Sequence, residues 1–320
     1  MLTFVIRRVL WTIPVVLVVI LVLFLLMRAI GGNPFREGPL FGEAPEIRLS
    51  GQALLPEAVQ ENIEDKYGLN DPWYAQYARY VKGVFTFDLG YSLTFRQRPV
   101  TDLLVEQGTR SILLSGLALT WALAFGIPLG VAAALRPGSL LDHGAVLVTS
   151  LGIAVPNFLV ATVLVYYVSV RWGLLPTSGW GSWRHMVMPV FVLGLLPFAY
   201  AARLVRAAAV ETLEQDYVRA ARARGLPGRR VLAVHVLKNS LIPLVTAAGP
   251  LIGFIVTSAF IIENIFAIPG IARHFVSAVE ARDYNVVLGL TVTISLVVII
   301  ANLVVDILYA FLDPRTRDAR

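Results

Sequence analysis

The chain contains no cysteine in 320 residues, so disulfides, thiolate nucleophiles and cysteine metal sites are all excluded. Histidine is scarce as well: there are four, widely separated, and His235 has no metal-like neighbour, so no metal site is expected. No G-x-x-x-x-G-K-[S/T] phosphate loop occurs, which removes a P-loop nucleotide site from this chain. Charge is thin, with Asp, Glu, Lys and Arg making up 15% of residues, where a soluble domain has about 25%. Within the apolar runs there is no Ser/His, Asp/Asp or H-E-x-x-H constellation, so an intramembrane hydrolase lacks its positioned acid and base. The net charge of +6 does not point to nucleic acid, because the basic residues cluster between apolar runs, where membrane proteins keep them.

In place of charge stand apolar residues, 57% of the chain, with a mean hydropathy of +0.72. They fall in long uncharged runs, and a run of about 18 or more is the signature of a helix that spans a bilayer. Six spans are predicted: Val9–Met27, Ile112–Leu135, Ala145–Val170, Met186–Ala202 (continuing as a more polar helix to about Leu213), Leu241–Ile262 and Val286–Leu312. The first follows Arg7 and Arg8. It is long for a signal peptide, and Arg28-Ala29-Ile30-Gly31 is a weak cleavage pattern, so a retained anchor is expected. The fold class is therefore all-α, a polytopic membrane protein.

Orientation follows from basic residues. With the N-terminus inside, the inside segments hold fourteen of the 27 Lys and Arg, and the two short outside loops hold four: Arg171, Arg184, Arg273 and Arg282. The other nine lie in the long segment Arg28–Arg110, and long loops count little in this rule. Both termini are thus expected in the cytoplasm. The expected organisation is a transmembrane helix over 1–30, an extracytoplasmic segment over 31–108, a core of five spans over 109–313 with a cytoplasmic loop at 206–240, and a cytoplasmic tail at 314–320.

The extracytoplasmic segment holds eleven Asp and Glu between Glu37 and Glu106, and opens with a Gly/Pro-rich loop from Gly31 to Pro45. Helices are predicted from Pro56 to Tyr67 and onward from Pro72. In the second, Trp73, Tyr77, Tyr80, Val81 and Val84 share one face. Two readings fit that face: a helix lying along the outer membrane surface, or a small aromatic core within the loop.

The most informative stretch runs from Gln215 to Pro243. Ala220, Ala221 and Ala223 favour helix, and Gly225 followed by Pro227 ends it. A second helix begins near Arg229 and leads into the fifth span. The alanines let another protein's surface approach closely, and the flanking arginines can pair with acidic groups or membrane lipid phosphates.

The order Asp216-Tyr217-Val218-Arg219-Ala220-Ala221-Arg222-Ala223-Arg224-Gly225-Leu226, with His235 and Lys238-Asn239, closely resembles the cytoplasmic "EAA" loop of ATP-binding-cassette (ABC) importer permeases. Among these it is similar to the oligopeptide, dipeptide and nickel branch. Four further stretches agree, in family order. They are Tyr67-Gly68-Leu69 through Asp88-Leu89-Gly90-Tyr91-Ser92, then Pro156-Asn157-Phe158 with Leu174 to Trp180, then Glu263 to Ile271 with Arg282-Asp283-Tyr284, and finally Asn302 to Asp306 with Tyr309 and Leu312 to Arg315. Arg219 departs from the pattern, standing where the general permease loop has Glu. The segment Phe35–Pro56 has no counterpart.

The resemblance implies a type I ABC importer permease architecture in a prokaryotic cell membrane. It implies that two permease subunits form the pore, the second homologous to this one. Two cytoplasmic ATPase subunits, holding ATP and Mg, dock on the permease loops, and an extracytoplasmic substrate-binding protein delivers a peptide or similar solute. No cofactor is implied in this chain, and no catalytic residue. Asp216, Tyr217, Arg219, Ala220, Ala221 and Gly225 are then expected to couple to the ATPase.

Asp306 is the only acid well inside a span, with Asn302 one turn back. Packing, pathway lining and proton coupling are all open for it. Glu263, where the fifth span leaves the membrane, is either a solvated end charge or a contact for the binding protein. Gly126 with Gly130 and Gly249 with Gly253 have the spacing of close helix crossings. The prolines in or beside spans are either gates or fixed bends. The alternative function is an ion-coupled secondary transporter, a class that usually shows ionisable groups near mid-bilayer and paired repeats.

Overall fold

The computed structural model describes residues 2–29, 71–92, 98–280 and 283–312. Among the described residues the regular structure is helical, with a single isolated bridge between Tyr91 and Pro99. The helices are α1 (Leu2–Ala29), α2 (Trp73–Thr86), α3 (Val100–Leu135), α4 (Leu140–Ala154) and α5 (Asn157–Leu164), which continues as a π-helical stretch, Val165–Arg171. Then come α6 (Trp183–Leu213) and α7 (Asp216–Ala223). A composite, α8, joins Gly228–Arg230, the π-helical Val231–Leu237 and Lys238–Ser240. The chain ends in α9 (Ile242–Ile265), α10 (Ile271–Glu280) and α11 (Tyr284–Leu312).

Among the described residues five helices are long and apolar enough to cross a membrane: α1, α3, α6, α9 and α11. A sixth exists only if α4 and α5 count as one span, and that span is bent by 100°. The bend falls at Pro156, within the expected span Ala145–Val170 and at one of the prolines read as a gate or a fixed bend. Pro156 has no N–H to continue the ladder, and it drives Val155 to an extended conformation (ψ 124°), so the helix must break there. The second span also starts earlier than expected, at Val100 instead of Ile112. Helix α10 has no counterpart in the sequence reading. The predicted helix Pro56–Tyr67 lies outside the described residues.

The chain divides into two compact units. The first comprises Met1–Arg8, Ser111–Pro269 and Val298–Arg320. Helix α6 is its centre: 56% of its membrane-length stretch is buried, against 28% or less in the other long spans. Close approach to α6 is made possible by small residues. A Cβ on Gly126 would stand 2.8 Å from the Phe198 carbonyl oxygen, and one on Gly130 would stand 2.5 Å from that of Ala202. The Gly126/Gly130 pair therefore marks a real crossing of α3 on α6. Gly249 likewise admits the side chain of Asn302, which sits where a Cβ would be. A separate apolar cluster joins Leu114 and Ala118 of α3, Ala161 of α5, Val192 and Leu193 of α6, and Ile255 and Ile262 of α9.

The second unit comprises Val9–Arg110 and Gly270–Val297. Here α2 packs on α1. The Tyr77 hydroxyl donates to the Leu17 carbonyl of α1 at 2.9 Å, and its ring lies 5.8 Å from that of Phe24. Its inner face is thus covered by α1, while Trp73 and Tyr74 are exposed. The segment after α2 is fastened to the start of α11. Ser92 Oγ donates to the buried carboxylate of Asp283 at 2.5 Å, and Asn285 Nδ2 donates to the Tyr91 carbonyl at 2.9 Å.

Candidate functional site

The site begins with the way α7 is built. Gln215 enters extended, Asp216 supplies a negative charge in the first turn, and Arg222 a positive one in the last, both favourable to the helix dipole. Gly225 adopts φ +78°, a left-handed conformation that costs glycine little, and Pro227 follows. The predicted stop is where the helix ends.

The eight residues of α7 divide into two faces. Val218 and Ala221, three apart, are both 0% exposed. They close a cluster with Ala134 at the end of α3, Ala209 near the end of α6, and Val231 and Val236 of α8. Asp216, Tyr217, Arg219, Ala220, Arg222 and Ala223 are exposed. The two alanines expected to face a partner are therefore not equivalent. Ala221 packs inward, because the i, i+3 geometry that buries Val218 buries it too. Ala220 is left on the open face. Arg219 and Asp216 approach within 3.7 Å, an exposed i, i+3 pair whose contribution to stability is small.

Tyr217 ties α7 to α8. Asn239 Nδ2 donates to its hydroxyl at 2.7 Å and also to the His235 carbonyl at 3.0 Å, and the His235 ring lies 6.4 Å from the tyrosine ring. In the sequence these three residues are visible only as a pattern. Together they bridge α7 and the π-helical part of α8, which runs on into α9. A π-helical segment of seven residues is unusual, and such segments concentrate at working parts of proteins.

The remaining candidates lie elsewhere. Asn302 donates to the Val298 carbonyl at 2.9 Å and packs on Gly249, so it fills a helix crossing. The side chain of Asp306 lies outside the described residues. Glu263 is not a solvated end charge, since its side chain is 0% exposed. The chain turns back over it through Ala267, at φ 47°, and the Ile268 N–H donates to the Glu263 carbonyl at 2.8 Å. Among the described residues no group of three His, Asp or Glu side chains is placed to hold a metal ion.

One pair escapes the sequence reading. Asp142, in the first turn of α4 and 4% exposed, accepts two hydrogen bonds from the guanidinium of Arg206 on α6. The available signal is Ser139-x-x-Asp142, a helix-start pattern: Ser139 Oγ accepts from the Asp142 N–H at 3.3 Å.

Residues 126–318 match the family model described as "Binding-protein-dependent transport system inner membrane component", and residues 1–99 match the corresponding N-terminal model. The dipeptide transport system permease protein DppB of Bacillus subtilis is 40% identical over 302 residues, covering 94% of each chain. The oligopeptide transport system permease protein OppB of Escherichia coli K12 is 36% identical over 319 residues, covering 99% of this chain and all of its own. Among solved structures, an inward-facing MetNI methionine ABC transporter matches with a TM-score of 0.54 at 18% identity. That match covers 66% of this chain and 96% of the other, a likeness of fold.

Proposed function

The chain belongs to the family of binding-protein-dependent transport system inner membrane components, and from that premise we propose that it carries di- or oligopeptides into the cell as one of two membrane subunits of an ATP-driven importer. Its DppB and OppB relatives are permeases of transport systems, which favours this over an ion-coupled carrier. Two ATPase subunits hold ATP and Mg on the cytoplasmic side, a homologous permease completes the pathway, and a binding protein delivers solute from outside. Both termini and α7 face the cytoplasm, in keeping with the distribution of Lys and Arg.

The observation that carries the coupling role is the two-faced build of α7. A short helix rooted by Val218 and Ala221 on the ends of α3 and α6, with Tyr217, Arg219 and Ala220 outward, is a lever with a handle. Force applied to the outer face reaches the spans because the inner face is already packed on them. Gly225 fixes where the handle ends. Asn302 serves helix packing in α11.

The test is reconstitution. The chain, its partner permease and ATPases are purified together, placed in proteoliposomes and supplied with binding protein and labelled peptides. ATP-dependent peptide uptake is expected, together with cross-linking from Ala220→Cys to the ATPase. Uptake of no peptide by an assembled, ATP-hydrolysing complex would remove the cargo reading. Cross-links from Ala220→Cys that never include the ATPase would remove the coupling reading.

A further inference from the structure

Below α6's apolar stretch, around Arg206, three helices are joined by different means. Gly130 brings α3 onto the α6 backbone: a Cβ there would stand 3.1 Å from the Arg206 nitrogen. One turn later Ala134 enters the cluster under α7. On another side, Asp142 draws in α4. Its Oδ2 accepts from Arg206 Nη2 at 2.7 Å and from the Gly138 N–H at 2.9 Å, while its Oδ1 accepts from Arg206 Nε. One carboxylate thus holds the fork of an arginine on α6 and the backbone of its own α3–α4 turn. Arg206 lies two turns before the end of α6, which leads through Glu214 and Gln215 directly into α7.

We propose that Asp142 and Arg206 form a positioning link that makes the α3–α4 turn travel with α6, so that displacement of α7 reaches α4 as well as α6. The inference rests on the coupling role of α7.

Two physical points favour a link over simple stabilisation. An ion pair with a partly exposed arginine is a poor source of stability, because solvent screens the attraction and desolvation of the carboxylate offsets part of it. A bidentate arginine–carboxylate pair does fix relative orientation, which a greasy contact of the same size does not. The link also stands at the end of α4 farthest from its apolar packing on α6, which Gly152 and Ile153 make with Leu195 and Ala199. Helix α4 contributes no residue to the cluster under α7, and it breaks away at Pro156, so among the described residues this pair is its charged tie to the lever. Farther along α4, Gly152 packs on Ala199 and Leu195 of α6, whereas Gly144, near the pair, has open space beyond its Cα, so no such close approach holds this end of α4.

The test uses the whole reconstituted transporter and two readouts. The first is solute taken up per ATP hydrolysed, in Asp142→Asn, in Arg206→Lys, and in the double variant Asp142→Leu with Arg206→Met. The double variant leaves no charge stranded and so guards against misfolding. About a tenfold fall in that ratio is expected for Asp142→Asn and for the double variant, with ATPase co-purification unchanged, and a smaller fall for Arg206→Lys. A wild-type ratio in the assembled double variant overturns the link. So does a fall in uptake and hydrolysis by the same factor.

The second readout is the distance between spin labels at Gly144→Cys and Ala207→Cys, in a chain with no cysteine of its own. The distribution is expected to broaden in Asp142→Asn, and an unchanged one overturns the link even in a chain that transports nothing. A wild-type complex without ATP-driven uptake counts against the proposed function, and the distances still decide the link.

Discussion

Ala220 and Ala221 are neighbours of identical chemistry with opposite surroundings, and replacing each by leucine separates docking from packing. At Ala221 three added heavy atoms have no room: the site is fully buried against a wall that includes Ala134 and Ala209. Overpacking of that kind costs about 1–3 kcal/mol. The cost falls on the docked state of α7, whose opening equilibrium should rise roughly 5- to 150-fold. Ala220→Leu meets only solvent within the chain, and surface changes usually stay within about 0.5 kcal/mol. Limited trypsin digestion of the detergent-solubilised chain reads the difference directly. Arg219, Arg222 and Arg224 are exposed on α7 or at its end, but cleavage there requires the helix to open. With fast opening and closing, cleavage follows the open population. Ala221→Leu should therefore be cut many-fold faster than wild type. Ala220→Leu should be cut at the wild-type rate and yet bind the ATPase less tightly. Faster cutting in Ala220→Leu, with no change in Ala221→Leu, would mean that the inner and outer faces of α7 are the reverse of those described.

Gly130→Ala should lower the yield of folded chain, because its Cβ meets the Ala202 carbonyl, while Gly116→Ala, with open space beyond the Cα, should not; equal yields on size-exclusion chromatography would deny the α3–α6 crossing. The exposed face of α9 carries Pro243, Thr246, Pro250, Thr257, Ile261 and Asn264, whereas that of α4 includes Leu140, Leu147, Val148 and Leu151. Thr257→Cys should therefore react with a membrane-impermeant thiol reagent and Leu151→Cys should not, and the reverse pattern would put lipid against α9. Burial holds His274 of α10 below its ordinary value, with Arg273 and Arg110 acting the same way and Glu106 and the Gly270 carbonyl opposing. The unfolded state then binds more protons as pH falls through about 6.5, so α10 should lose stability on acidification from about pH 7. Protection of the α10 amides, after correction for the intrinsic slowing of exchange at lower pH, should fall over that range, and His274→Gln should abolish the fall; protection independent of pH in the wild type would contradict it.

The spans are legible in the sequence because a bilayer imposes a single demand, and runs such as Leu241–Ile262 meet it almost residue for residue. The stop of α7 is legible because Gly225 and Pro227 act locally. Features that depend on distant partners do not show. Nothing in Ala220-Ala221 says which alanine is buried; that is decided by Ala134 and Ala209, 87 and 12 residues before Ala221. Glu263 reads as an end charge until Ala267 turns left-handed and folds the chain back over it. The early start of α3 is hidden because Asp102, Glu106 and Arg110 interrupt the apolar run without interrupting the helix. Pro156 is legible as a bend or a gate, but the apolar run continues through it and hides how sharp the bend is. Asp142 gives no sign of its role because its basic partner lies 64 residues away.

The two ends of the lever are held by different forces, and this decides how each responds to change. Between spans, lipid tails are as apolar as leucine, so burying one helix against another removes little surface from water. Close approach has to do the holding, and Gly126, Gly130 and Gly249 are where backbone or polar groups of neighbouring helices fit. Those positions should tolerate loss of apolar area nearby but not one added methyl. Under α7 the reference state is water, and the cluster of Val218, Ala221, Val231 and Val236 gains from every buried carbon at roughly 25 cal/mol per Å². There, removing methyls should weaken docking in proportion to the area lost. Substitutions that trim Val218 or Val236 should therefore loosen α7 gradually, whereas those that enlarge Gly126 or Gly130 should disturb the spans at once.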